Sequence, residues 1–155
     1  MSYGKLFALA MILLAAAFFG GALLSQSSAP PASGQPDAKK EPSVKIVVYY
    51  FMTTTRCPSC YKIETYTHST VMDKFSGELA DGRMEWKMVN TDEKENAHYI
   101  NDYQIFTKSV ILSKVVDGKE VSWKNLDKVW QLLSDQQKFQ KYIESEIREF
   151  IKEKK

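Results

Sequence analysis

The chain has only two cysteines, Cys57 and Cys60, and only two histidines, His68 and His98, among 155 residues. One cysteine pair is too few for a disulfide framework, so the Cys-x-x-Cys spacing reads as a working site rather than a staple. A zinc site would need both histidines to join the pair. A helix running on from Pro58 rises about 1.5 Å per residue and carries His68 roughly 16 Å from Cys57, beyond ligand reach. Zinc within one chain is therefore set aside, both histidines are read as surface residues, and no metal or cofactor is expected. Proline is absent after Pro58, and acidic residues are absent between Lys45 and Cys57. Large charge of one sign is also lacking: the net charge is +2 with 26% charged residues. No basic patch is interleaved with aromatics, so nothing points to nucleic acid. Proteins or small thiols and disulfides are the expected partners.

What the chain does have is one long apolar run. Met1 to Lys5 is short and positive, and Leu6 to Leu24 is uncharged and largely apolar. A cleavable signal's apolar region usually runs about 7 to 15 residues, whereas about 20 are needed to span a bilayer. The length favours an uncleaved signal anchor. Small residues at Ala22, Ser25 and Ser27 keep a cleaved signal peptide open. Either reading places the remainder across the cytoplasmic membrane: membrane-anchored and extracytoplasmic, or secreted or periplasmic after cleavage. Residues 25–43 hold four of the five prolines with Ser, Ala and Lys and no apolar period, and read as a linker. The expected organisation is a signal segment over 1–24, a linker over 25–43 and a domain over 44–155.

Val44 to Phe51, VKIVVYYF, is the β-branched and aromatic run expected of a strand buried on both faces. Ile63, Thr67, Val71 and Phe75 recur at helical spacing, although Thr65 to Thr70 is a weak helix former and invites a kink or an early end. Met84, Trp86 and Met88 alternate with charge as a half-exposed strand does. Asp92 suits the cap of a helix toward Tyr103, with Ala97 and Ile100 inward. Asp117-Gly118 between Ser109–Val116 and Lys119–Trp123 is a hairpin signal. Leu126, Val129, Trp130 and Leu133 suggest one amphipathic helix. Phe139, Ile143, Ile147 and Phe150 suggest another, restarted near Ser134 or Asp135. Trp86, Trp123 and Trp130 read as core, and Tyr61 and Tyr66 as packing residues.

The order strand, CxxC helix, strand, helix, hairpin, closing helices centres on TTTRCPSCYK, Thr53 to Lys62. With Cys57 as N-cap, Pro58 occupies the first helical position, where its missing N–H costs nothing. A Cys57 thiolate would face unpaired amide donors and the positive end of the helix dipole, with Arg56 adjacent. Arg56 is equally readable as a solvated loop residue.

This order and Cys57-Pro58-Ser59-Cys60 resemble the thioredoxin superfamily in its glutaredoxin-like minimal form, over roughly Val44 to Phe150. Tyr103-Gln104-Ile105 is similar to the tyrosine and isoleucine that precede the family's active-site loop. The resemblance implies an α/β fold with a four-stranded mixed sheet and flanking helices. It also implies thiol-disulfide oxidoreductase chemistry in which Cys57 attacks and Cys60 resolves. Two departures stand out: the strand before the motif lacks the family's buried aspartate, and the cis-proline is missing. In the loop that would carry that proline, centred on Lys108-Ser109, the Ser109 hydroxyl either donates to the Cys57 thiolate or merely starts the next strand. The alternative to an enzyme is a redox-sensing or protein-binding module whose cysteine pair toggles without turnover.

Overall fold

The computed structural model describes residues 43–153. The segments read as signal and linker therefore lie outside the described residues, apart from Ser43. The strands β1 (Val44–Met52), β2 (Met84–Asn90), β3 (Ser109–Val116) and β4 (Lys119–Asn125) form one sheet in the order β2-β1-β3-β4. β1 pairs parallel with β2 and antiparallel with β3, and β3 pairs antiparallel with β4. The central place of β1 explains its unbroken apolar run, because both of its faces are covered: Ile46, Val48 and Tyr50 on one, Val47 and Phe51 on the other.

Helices α1 (Pro58–Lys74) and α4 (Gln136–Lys152) pack together on the first face. Ile63 and Val71 of α1 and Phe139, Ile143, Ile147 and Phe150 of α4 are buried against Ile46, Val48, Tyr50, Val110 and Leu112. Full burial of one such side chain contributes about 1.5–3 kcal/mol. Asp135 caps α4 by accepting from the Lys138 amide at 3.0 Å, which is why the helix starts where the sequence suggested. α1 runs without interruption through its threonines. Thr67 and Thr70 are buried, and Thr70 Oγ1 donates to the Tyr66 carbonyl at 2.7 Å, so tertiary burial overrides weak propensity.

The second face carries a smaller cluster of Phe51, Val89, Tyr103, Ile105 and Ile111, with Tyr49 and Tyr99 beside it. Its helix, α3 (His98–Asp102), is a single turn preceded by a 3-10 turn over Lys94–Asn96. The expected longer helix does not form because its cap is engaged elsewhere: Asp92 Oδ2 accepts from the Thr54 amide at 2.8 Å. Asn96 also turns back, donating to the Asn90 carbonyl at 3.0 Å, a local alternative to helix. Ala97 and Ile100 are exposed, and Tyr99 and Tyr103, four residues apart, point inward instead.

Two further expectations are corrected. Leu126 to Leu133 is not a helix; a 3-10 turn over Asp127–Trp130 suffices to bury Leu126 and Val129, whose three-residue spacing fits one tight turn. A short helix, α2 (Ser76–Ala80), follows α1, and the chain turns toward β2 at Gly82, with φ 78°. Trp123 is 39% exposed, so it is not a core residue, while Trp86 and Trp130 are partly buried against the main cluster. Met88 is exposed, while its neighbour Val89 is buried in the second-face cluster. The hairpin is as expected, with Asp117 at φ 50° and Gly118 at φ 80°, the pair of positive angles that a tight two-residue turn requires.

Candidate active site

The chain leaves the buried end of β1 through Thr53–Arg56, a loop fixed mainly from its β2 side. The Thr54 amide donates to Asp92, Asn90 Nδ2 donates to Thr54 Oγ1 at 3.1 Å, and Thr91 donates both N–H and hydroxyl to the Met52 carbonyl at 2.8 and 3.0 Å. Cys57 follows as the N-cap of α1 with extended backbone, φ −121° and ψ 163°, and Pro58 begins the helix. Cys57 and Cys60 are joined by a disulfide with their Cα atoms 5.0 Å apart. The Cys57 sulfur also accepts from the Cys60 amide at 3.2 Å, so one of the helix's orphan donors points at the sulfur.

The two sulfurs sit in different surroundings. Cys57 is half-buried at the helix tip, whereas Cys60 is fully buried and begins the stripe continued by Ile63 and Thr67. Beneath Cys60, the Tyr50 phenol donates to its carbonyl at 2.8 Å. Burial pushes the Tyr50 phenol above its ordinary range, with Arg56 opposing, so the hydroxyl stays protonated as a donor. No spacing pattern between Tyr50 and Cys60 signals this tie.

Arg56 is not a solvated loop residue. Its guanidinium pairs with Glu64 of α1, with side-chain exposures of 16% and 24%. Nη1 contacts Met52 Sδ at 2.9 Å, and Cζ lies 4.5 Å from the Tyr61 ring centre and 5.9 Å from that of Tyr50. No hydrogen bond from Arg56 to either sulfur is present in this oxidised state. Its Nε is buried and without a hydrogen-bond partner. Glu64 was not singled out from the sequence, although its position four residues after Cys60 places it one helical turn away. Tyr61 is 55% exposed under the guanidinium, and Tyr66 packs edge-on against Phe139.

Ser109 opens β3 opposite Phe51 of β1 and is 5% exposed. Its hydroxyl donates to the Thr107 carbonyl at 2.9 Å, so its single proton serves its own loop rather than Cys57. The neighbouring Lys108 carbonyl accepts from Trp130 Nε1 at 3.0 Å, which ties this loop to the 3-10 turn before α4. Between this loop and Thr53 opens a cleft of ≈ 230 Å³, lined in part by Met52, Asp92, Ile100, Phe106 and Lys108, with Phe106 95% exposed. Both histidines are exposed, and among the described residues no group of three or more His, Cys, Asp or Glu is arranged to hold a metal ion.

A mixed sheet in the order β2-β1-β3-β4, with a Cys-x-x-Cys at the start of the helix after its central strand, defines a thioredoxin-like α/β domain. The fold and the pair together support a redox-active thiol-disulfide site. No family model and no curated protein matches the chain. Among solved structures it is similar to a thioredoxin from Fasciola hepatica, at 18% identity over 58% of this chain and 79% of that one, with a TM-score of 0.36. Thioredoxin O2 from Arabidopsis thaliana in its oxidized state is 17% identical over 61% of this chain and 74% of that one, with a TM-score of 0.38. A thioredoxin from Trypanosoma brucei brucei is 17% identical over 70% and 77%, also with a TM-score of 0.38. The class of the fold rests on strand order and motif position.

Proposed function

We propose that the chain is an exported, membrane-tethered thiol-disulfide oxidoreductase working through Cys57 and Cys60. The observation that carries the chemistry is the asymmetry of the pair: an N-cap sulfur at the surface joined to a sulfur with no exposure. In the reduced chain the Cys57 thiolate attacks one sulfur of a substrate disulfide and expels the other as a thiolate, forming a mixed disulfide. Cys60, deprotonated, then attacks the Cys57 sulfur, releases the second substrate thiolate and leaves the chain oxidised, so two electrons have passed to the substrate. Run backwards, the same steps oxidise a dithiol. The tether rests on Leu6 to Leu24, and export on Lys5 ahead of it.

Disulfide exchange by the full-length chain with a model protein disulfide and excess dithiol tests the chemistry. Turnover is expected, with Cys60→Ser trapping a mixed disulfide and Cys57→Ser trapping none. Redox-dependent partner binding without turnover would instead establish the sensing module. Fractionation with membranes, and protease access from the extracytoplasmic side only, test the location. A freely soluble mature protein beginning near Ser25 to Ala29 overturns the tether and keeps the export.

A further inference from the structure

No acid precedes the motif between Lys45 and Cys57, and the acid that does bear on it lies beyond the cysteines. Glu64 follows Cys60 by four residues on α1, and it grips the guanidinium of the residue that directly precedes Cys57. Both partners are largely shielded, so solvent and salt screen their attraction less than they would on an open surface. The charged and titratable groups facing the guanidinium are Glu64 and Tyr61 on α1 and Tyr50 on β1. In the disulfide state the Cys57 sulfur is neutral, and Glu64 is the one anion bonded to Arg56 among the described residues. The Arg56 Nε–H, buried and unpaired, is a donor still lacking an acceptor.

Reduction changes the charges around this cation. A donor dithiol supplies two electrons and two protons, the S–S bond breaks, and one proton goes to Cys60. The other stays on Cys57 or leaves, and when it leaves, the Cys57 thiolate is a second anion, carried by the residue that follows Arg56 in the chain. We propose that Glu64 is a positioning residue that shares Arg56 with the Cys57 sulfur, holding the guanidinium in the oxidised state and competing with the thiolate for it in the reduced state. This inference rests on the thiol-disulfide reading above and adds the control of its poise. Arg56 favours the thiolate; Glu64 draws that help away and keeps the reduced form less stable than the cation alone would make it.

Glu64→Gln keeps the side-chain shape and an acceptor for Arg56 while removing the rival charge. The test is the pH dependence of Cys57 alkylation in the reduced full-length chain, read by peptide mapping, together with the reduction potential of the pair. In Glu64→Gln the Cys57 pKa is expected to fall by about one unit, because the Arg56 cation is no longer shared with a rival anion and favours the thiolate more strongly. At a pH above both values the potential should rise by about 30 mV, the equivalent of a tenfold change for a two-electron couple. In an Arg56→Gln background the same substitution should shift the pKa by less than half as much. An unchanged or raised pKa in Glu64→Gln overturns the proposal, and so does an equal shift in both backgrounds, which would mean that Glu64 acts on the sulfur directly. Neither readout needs turnover. An inactive chain that shows the shift keeps this inference and sinks the oxidoreductase reading, while an active chain without it does the reverse.

Discussion

The face of the sheet beneath α1 and α4 is closed by Ile63, Val71, Phe139, Ile143, Ile147 and Phe150, all at 0 or 1% exposure. The face beneath α3 is closed mainly by aromatic rings, several of whose hydroxyls keep charged company. Tyr99 and Tyr103 stack with ring centres 5.7 Å apart, and the Tyr103 phenol donates to Glu120 at 2.5 Å, a carboxylate that also accepts from Ser113. Cys60 belongs to the first face, dry and tied down by Tyr50, whereas the loop leading to Cys57 is held from the second through Asp92 and Thr54. The difference teaches how one short motif obtains two unlike sulfurs: a closed core shields one, and polar bonds to an edge strand shape the surface that presents the other.

The contrast is broken most severely in the closed face. Phe139→Ala, at a position with no exposure and an edge-on contact to Tyr66, should destabilise the domain by about 3–5 kcal/mol in urea unfolding, the range for deleting a core ring. On the aromatic face the effects should be smaller. Tyr103→Phe keeps the ring and removes the bond to Glu120, a loss of about 1 kcal/mol, because Glu120 is exposed and retains Ser113 and water. Gln104→Gly should stabilise by about 1 kcal/mol. Gln104 follows α3 at φ 50°, and Ile105 N–H closes the helix end on the Ile100 carbonyl, a cap that glycine adopts without strain.

The alkaline limb of stability sharpens the same comparison. Burial, then the neighbouring Tyr99 and Glu120, push the Tyr49 phenol from 10.0 to about 12. A folded value above the unfolded one means that the native state holds its proton longer. The contribution is therefore complete below pH 10 and is lost as pH rises toward about 12. Tyr49→Phe should flatten the fall in urea stability over that window, and an unaltered slope would show that the aromatic face does not restrain this phenol.

Much of this architecture was legible where local chemistry and global packing agree. The β-branched run of β1, the Asp117-Gly118 turn, the Asp135 cap and the apolar stripe of α4 each state one structure and meet no competitor. Legibility failed where a residue had two possible uses. Asp92 suits a helix cap but binds the Thr54 amide across the β1–β2 edge, and its helix shrinks to a turn. Leu126 and Val129 fit a helical stripe but reach the core from a single 3-10 turn. At the site, the cysteine pair and its N-cap were readable from spacing. The Arg56–Glu64 pair, the Tyr50 bond to Cys60 and the Trp130 bond to Lys108 were not, because each joins residues through the tertiary fold. Of the two uses open to Ser109, a bond to sulfur or the start of a strand, it takes the second, with its proton on the Thr107 carbonyl.

The claim that the fold divides labour between the two sulfurs is tested most directly by brief alkylation of the reduced full-length chain under native conditions, with the modified cysteines mapped by mass. The account predicts that Cys57 is modified while Cys60 remains protected until the domain is unfolded in urea. Equal modification of both sulfurs in the folded chain, or faster modification of Cys60, would contradict it.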